Sequence, residues 1–576
     1  MQFIARERAK QAAWQFLLDF KPGQKALILE AGAGSVCMAL SRRYREVVLM
    51  QDNPDTLLDV THRCAKADLN NIVFVCSSFL LGLPLPNATF DCIVLHDIST
   101  LLSPCGGIKP ASLRRLLSEA KRVLKSDGTL VVTGDNKSLL LWIRSKLKRL
   151  KAFVIGRKRP QGPPSAQGFH QLDTLMRDIG FQHQDLVSIT PRLIPFRQAA
   201  LLSQVLTPFQ ARIKQSMSPA FAIIATPKGP RISFLNRFSE IVLDHLGGGE
   251  IQSLKYLAGN PDSVILLYNV QPLSPQRPTG VTTPAGDVRS LPRVGGAVAR
   301  LPLTTISLAR CQRNYDALHT LSEKPTVLSG LVPRVVGKGE FCGQSYFIES
   351  LIPGCVITSP KPASLGRIVN ESAFLLTAFH NETAQRRVID AIEFSRVASP
   401  LIEGILPYIK LEEARTCFND MIDVIRERLL GSALPFVLSH GDFQADNMII
   451  SPDTLRIHGV IDWDISGDSA LPLLDLLYLF SYKETMLGRG DFNDVFLRKI
   501  LPLNLNEEEM PLFSTYQSVM GISSDQTLPL LIFFWLHHVV FRLEPLWRQF
   551  SGWMNRCFYP ILFKVHEAVQ REKVTS

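Results

Sequence analysis

The sequence predicts an α/β chain in two blocks. A parallel sheet with helices on both faces comes first, and a block of short strands followed by long helices comes second. Three observations carry this reading. Up to about residue 228, apolar runs alternate with helical patterns: KALILEAG, VVLMQD, NIVFVCS, FDCIVLHD, GTLVVTGD and FAIIATPK. Strands separated by helices build a parallel sheet covered on both sides. From about residue 231 the pattern changes to strands and turns, SLKYLAGNPDSVILLYN, GGAVARLPL and GQSYFIESL, and then to long helical stretches. Finally, at roughly 100–200 residues per domain, a chain of 576 residues is too long for a single domain.

Composition narrows the class. With 46% hydrophobic and 20% charged residues, wholesale disorder is excluded, and 36 Gly and 37 Pro exclude collagen-like and low-complexity chains. The 10 cysteines are scattered, with no CxxC pair and no zinc-finger spacing, the pattern of reduced thiols in a cytosolic protein. The start, MQFIARERAKQAAWQF, has no apolar core of the kind a signal peptide needs. The most apolar stretch, Leu528 to Val540, is interrupted by Pro529, His537 and His538. It falls short of the ~20 residues that span a bilayer, and a buried helix is expected. The expected location is cytoplasmic.

The net charge of +11 suggests an anionic partner. Much of it is local: between 142 and 160, Arg144, Lys146, Lys148, Arg149, Lys151, Arg157, Lys158 and Arg159 occur without an acid. Two readings stay open for this segment. One is peripheral contact with anionic lipid at the inner membrane face, or with a phosphorylated substrate; the other is a solvated helix face. No stacking platform or recognition motif points to nucleic acid.

In the first block, Ala26 to Ser35 is an apolar strand running into a glycine turn before a helix. Glycines let the backbone approach a ligand closely, and a helix N-terminus favours electron-rich groups. Glu30 closes the strand. A second strand ends in Gln51-Asp52, where a carboxylate can hold ribose hydroxyls. FDCIVLHD and LLSEAKRVLKSDGTLVVTG follow in order. Together these motifs resemble the Rossmann-like S-adenosylmethionine-dependent methyltransferases over roughly residues 20–228. The resemblance implies that Glu30, Gly32 and Gly34 line the methionine end of the cofactor. It places Asp52, or Gln51 on a shifted alignment, at the ribose, and His96 or Asp97 towards the acceptor. His96 is the candidate general base. Ser35 stands where the family has a third glycine, and Ser77 or Ser78 where it often has an acid.

In the second block the signal is His440-Gly441-Asp442-Phe-Gln-Ala-Asp446-Asn447, followed by GVIDWDISGDSALPLLDLLYLF. Phosphoryl transfer needs a carboxylate to orient a hydroxyl and accept its proton, and oxygen ligands for Mg²⁺. Asp442 fits the first task, and Asn447 and Asp462 fit the second. HGDxxxxN followed by IDWD resembles the aminoglycoside phosphotransferase and choline kinase family, a branch of the two-lobed protein-kinase-like fold. By that resemblance Glu349 lies on the hinge strand, Gly259, Asn260 and Ser263 form the phosphate loop, and Asp475 steadies the catalytic loop. Arg300 replaces the phosphate-binding Lys and Asn314 its pairing Glu. That exchange leaves Arg300 with no carboxylate partner.

The expected organisation is a methyltransferase-like domain over 1–228 and a kinase domain over 231–576, with a small lobe to about 350 and a large lobe from 351. A proline-rich insertion is expected at 270–293. The expected cofactors are S-adenosylmethionine, ATP and Mg²⁺. The expected activity is methyl transfer joined to phosphorylation of a hydroxyl on a small molecule or glycan, with a lipid-linked glycan as one form of acceptor. The alternatives are an antibiotic- or metabolite-modifying kinase with a vestigial first domain, and a ligand-binding pseudoenzyme.

Overall fold

Short apolar strands rich in Val, Ile and Leu, residues that suit a buried pleated surface, build the first sheet of the computed structural model. The structure describes residues 14–18, 20–21, 23–30, 34–66, 69–78, 82–96, 98, 110–135, 169–189, 198–199, 220–228, 234–257, 263–271, 295–303, 305–356, 362–543 and 554–575. The basic segment 142–160, most of the proline-rich insertion, Gly32, Asp97, Gly259 and Asn260 lie outside these. Packing divides the chain into two compact units: 1–308 with 336–351, and 309–335 with 352–576.

In the first unit, β1 (Lys25–Leu29), β2 (Glu46–Gln51), β3 (Ile72–Cys76), β4 (Phe90–Leu95), β5 (Leu124–Asp135), β6 (His183–Ile189), β7 (Gln198–Ala199) and β8 (Ala220–Thr226) follow in sequence. All but β7 form a seven-stranded sheet in the order β3-β2-β1-β4-β5-β8-β6. Strands β1 to β5 pair in parallel, as the alternating pattern implied. The expectation of a wholly parallel sheet is corrected at one edge, where β8 runs antiparallel to both β5 and β6. An antiparallel return needs no crossover helix, so β8 can insert between them directly.

Alternate residues of the central strands enter different cores. Ala26, Ile28, Val47 and Leu49 pack with Val36, Leu40 and Val60 of helices Ser35–Ser41 and Pro54–Lys66. Leu27, Leu29, Val48 and Met50 pack with Leu113, Leu117 and Met176 of helices Pro110–Val123 and Phe169–Ile179. This is the period-2 pattern of a sheet covered on both faces.

The first of these cores does not stop at the sheet. Helix Phe234–His245 adds Phe234, Phe238 and Val242 to it. A second sheet adds Val264, Leu266, Tyr268, Ala297, Ala299, Leu301 and Ile348. Its strands β9 (Glu250–Leu257), β10 (Ser263–Gln271), β11 (Gly296–Pro302), β12 (Val335–Phe341) and β13 (Gln344–Ser350) join β7 in the order β12-β13-β11-β10-β9-β7. The strands from 250 to 302 therefore share one apolar core with the first block.

The second unit is mainly helical. Two three-stranded sheets carry its loops: β14 (Cys355–Val356) with β17 (Met448–Ile450) and β18 (Ile457–Val460), and β15 (Gln385–Val388) with β16 (Ala433–Ser439) and β19 (Gly467–Ala470). The apolar stretch from Leu528 lies in helix Ser524–Leu543, with Leu530 to Leu536 fully buried. Among the described residues no single helix is long and apolar enough to cross a membrane.

Candidate active sites

In the first unit the candidate site forms at the carboxyl ends of the parallel strands. The order β2-β1-β4 reverses direction at β1, the switch point where open α/β sheets leave a crevice. Register then sets the residues side by side. Leu29 pairs with Met50 and with Leu95, and Leu95 pairs with Val132. The next residue on each strand therefore falls at one level: Glu30, Gln51, His96 and Thr133. Gln51 Nε2 donates to Glu30 Oε1 at 3.2 Å, and His96 Nδ1 lies 3.0 Å from Thr133 Oγ1. Gln51, His96 and Thr133 are buried, whereas Asp52 is exposed.

Glu30 adopts φ 67°, a left-handed conformation that side chains rarely take and that functional sites retain. Gly34, at φ 81°, begins the turn into helix Ser35–Ser41. A Cβ there would stand 2.9 Å from Val60 Cγ1, so this position needs glycine on both counts. Thr133 was absent from the sequence-derived site, and Gln51 entered it only as the alternative to Asp52. The register of β4 against β5 is the signal that places Thr133 beside His96.

In the second unit the candidate catalytic loop leaves β16 at His440. The Asp475 carboxylate accepts the backbone N–H of His440 and of Gly441, both at 2.8 Å. Asp475 is fully buried, and His380 Nε2 lies 3.3 Å from it. Burial raises its carboxyl, but His380 first, and the His440 backbone N–H after it, hold it below the ordinary carboxylate range. Gly441 has φ 84°, and a Cβ would collide with the Ile465 carbonyl oxygen.

His440 braces the same loop. Its Nε2 faces the Ile461 carbonyl at 3.0 Å, and Asp442 N donates to its Nδ1 at 3.3 Å. A carbonyl only accepts, so the proton sits on Nε2 and the ring is neutral. Burial pushes its pKa down, consistent with that state.

The three sequence-derived residues come together. Asn447 Nδ2 donates to the Asp442 backbone oxygen at 2.9 Å and to Oδ2 at 3.3 Å. Ile461 N donates to Asn447 O at 2.9 Å, which fixes the next loop against the first. Asp462 follows, with φ 72°. Gln444 Nε2 donates to Asp442 Oδ2 at 2.8 Å, and Tyr482 OH donates to Asp446 Oδ2 at 3.2 Å; sequence reasoning passed over both contacts. Burial first, then Asp462, Asp446 and Asp464, push the Asp442 carboxyl up to about 8, against the pull of Asn447.

This donor set fits Mg²⁺. Asn447 and Asp462 offer hard oxygens, and neither of Asn447's two bonds to Asp442 uses its amide oxygen. The crowd of carboxylates around Asp442 is a negative field that a cation would relieve. Among the described residues no group of three or more His, Cys, Asp or Glu could hold a metal unaided. Mg²⁺ held by one or two side chains completes its shell with substrate phosphate and water.

Arg300 and Glu349 lie in the first unit. Arg300 donates from Nη2 to Glu349 Oε1 at 3.0 Å, and both side chains are buried. The expectation that Arg300 has no carboxylate partner is therefore corrected. β11 pairs with β13, Val298 opposite Glu349, and this brings the carboxylate alongside. Ser263, buried at the start of β10, is the described end of the candidate phosphate loop. Asn314, in the second unit, accepts from Trp463 N at 3.0 Å.

Comparisons with known proteins agree with these two architectures. Residues 29–132 match the methyltransferase domain family, and residues 288–507 match the phosphotransferase enzyme family. Over 99 residues the chain is 39% identical to acyl-CoA dehydrogenase family member 11 of Gallus gallus, covering 17% of this chain and 12% of that protein. A SAM dependent methyltransferase from Aquifex aeolicus is 18% identical, with a TM-score of 0.24, covering 38% of this chain and 95% of that one. One from Archaeoglobus fulgidus is 16% identical, with a TM-score of 0.25, covering 39% and 94%. Part of the first block is thus similar to methyltransferase domains, and part of the second to phosphotransferase enzymes, and the chain spans about an eighth of the length of the curated relative it matches.

Proposed function

We propose that the chain is a bifunctional transferase, with methyl transfer from S-adenosylmethionine in the first domain and ATP-dependent phosphorylation of a hydroxyl in the second. The observation that carries this is the catalytic loop. A fully buried carboxylate, Asp475, fixes the backbone at 440–441, and Asp442, Asn447 and Asp462 gather beyond it.

For phosphoryl transfer, Asp442 orients the acceptor hydroxyl and takes its proton. Gln444 and Asn447 both donate to Asp442 Oδ2, which fixes the carboxylate plane. Asn447 and Asp462 would hold Mg²⁺, which when bound with ATP neutralises the triphosphate charge. Arg300 of the first unit, aligned by Glu349, is by its own chemistry a fixed planar cation of the kind that binds phosphate. The main contribution of these residues is positioning and electrostatics, the usual basis of phosphoryl transfer.

For methyl transfer, Glu30 and Gln51 are joined by a hydrogen bond at the end of the first strands, and Gln51 would hold the ribose of S-adenosylmethionine. His96, held by Thr133, is the candidate base for a hydroxyl acceptor. The acceptor class, a small molecule or glycan in the cytoplasm, belongs to this proposal and rests on composition and the basic segment 142–160.

The test is a thermal-shift titration with Mg-ATP and, separately, S-adenosylmethionine. Ligand at 100 times its dissociation constant adds about 2.7 kcal/mol to the unit that binds it. Stabilisation by each ligand supports the two-site reading. A response to Mg-ATP alone reduces the protein to a kinase with a vestigial first domain, and no response to either overturns the proposal.

A further inference from the structure

We propose that Asn314 is a positioning residue for the metal-binding loop: its side-chain oxygen, by holding the Trp463 N–H, keeps Asp462 in the backbone conformation that presents its carboxylate. This rests on the phosphotransferase reading of the second domain.

Asp462 has φ 72°, a left-handed conformation in which a residue with a side chain is strained. Such strain persists only when neighbours over-determine the conformation. The peptide that follows is turned out of the β18 ladder, and its N–H needs an acceptor inside the protein. Asn314 Oδ1 supplies it at 3.0 Å. Asn314 itself is 2% exposed and sits inside helix Thr305–Glu323, an interior position for which Asn has poor propensity. A buried amide is costly unless hydrogen-bonded, and this one is bonded to the metal loop.

Two more residues on the same helix reach that loop. Arg313 Nη1 donates to the Asp464 carbonyl at 3.2 Å, and Arg310 Nη1 lies 4.0 Å from Asp464 Oδ2. Residues at i, i+3 and i+4 share a helix face, so 310, 313 and 314 form one grip. On the other side of the loop, Trp463 is fully buried. Its ring lies 4.6 Å from His440 and 5.9 Å from Phe379, and its Nε1 donates to Val460 O at 3.1 Å. The ring anchors the residue after Asp462, and Asn314 sets the orientation of the peptide between them. In the first unit Arg300 is aligned by Glu349. The residue that occupies the position of a pairing carboxylate thus serves the metal loop.

The experiment measures Mn²⁺ binding to the full-length protein by electron paramagnetic resonance, with ADP saturating, and ADP binding without metal by calorimetry. Asn314→Leu is expected to weaken Mn²⁺ at least tenfold, the usual scale for losing a residue that orients a ligand. Metal-free ADP affinity should stay within twofold. Asn314→Asp, which keeps the acceptor oxygen, should retain most of the Mn²⁺ affinity. If the leucine unfolds the helix, Asn314→Ser, too short to reach the N–H, should show the same tenfold loss. Unchanged Mn²⁺ affinity in the Leu or Ser variant, or equal losses of Mn²⁺ and metal-free ADP, would overturn the proposal. Asp462→Asn is the control: if it too leaves Mn²⁺ affinity unchanged, the metal assignment itself has failed.

Discussion

Arg43 donates a hydrogen bond from Nη2 to Gln344 Oε1, joining the turn after the first glycine-loop helix to the first residue of β13. Its guanidinium lies 4.3 Å from the centre of the Phe16 ring and 4.7 Å from that of Phe20. Burial brings its pKa down to about 9. A desolvated cation over aromatic faces is worth about 2 kcal/mol or more. Arg43→Ala should therefore destabilise the first unit by about 2–4 kcal/mol in urea denaturation, once the lost packing is included. Because one core serves both sheets, hydrogen-exchange protection should fall together in β1 and β11. A loss confined to one of them would refute the shared core.

Asp442→Asn should reduce phosphoryl transfer by about 10²–10⁴-fold, the worth of a positioned general base, and leave methyl transfer unchanged. The same substitution should stabilise the metal-free protein at alkaline pH. The Asp442 carboxyl is raised from 3.8 to about 8 in the fold. Between those values the folded state keeps a proton that the unfolded state releases, so stability falls as pH rises. The asparagine variant escapes that loss. Its melting temperature should exceed the parent's by a margin that grows from pH 5 to pH 8 in EDTA; equal values at pH 8 would count against the buried charge.

Asp475→Asn should act in the opposite sense. Asp475 is held below the ordinary carboxylate range by His380 and by the backbone N–H of His440 against the cost of burial. Its contribution is therefore complete above that range and is lost as pH falls through the folded value. An asparagine sets an N–H₂ where the His440 and Gly441 N–H groups expect oxygen. The cost should be on the order of 1–3 kcal/mol at pH 7, the scale for leaving a buried hydrogen-bonding group unsatisfied. The gap in melting temperature between parent and variant should narrow in acid.

The first site yields a discriminating pair. Gln51 is buried and bonded to Glu30, whereas Asp52 is exposed. Calorimetry should show S-adenosylmethionine affinity falling roughly tenfold, about 1.4 kcal/mol, for Gln51→Leu and less than twofold for Asp52→Asn. Gly34→Ala should lower that affinity at least as much, since its φ and the Val60 side chain both oppose a Cβ. Mg-ATP binding should be unaffected by all three.

What was legible in the sequence is chemistry written within a few consecutive positions. The loop from His440 to Asn447 displays its carboxylate and amide at fixed spacing, and its geometry follows from two short strands around it. The parallel order of β1 to β5 follows from apolar runs separated by helices. Partnerships set by pairing across a sheet were not legible. Glu349 reaches Arg300 only because β11 and β13 are neighbours in register, and nothing local to either residue encodes that. β6, HQDLVSI, lies at the edge of the sheet, opens with three polar residues and holds no continuous apolar run, so it was missed among the strands that do. Helix Phe234–His245 has an ordinary amphipathic pattern, and its sequence does not reveal that it joins two sheets.

That helix bears on how the chain could have been assembled or taken apart. Cutting after residue 230 would separate Phe234 from Phe16 and Phe20, whose rings lie 5.4 and 6.4 Å from its own. It would also leave Phe238 and Val242 facing water on one fragment, and Leu40 and Val60 on the other. Each half would inherit an open apolar wound in place of a finished surface. Gene fusion of two independent enzymes leaves a seam that recombination can reopen. Here the seam has healed into common interior, so the two halves are expected to be expressed, degraded and exchanged as a single heritable piece.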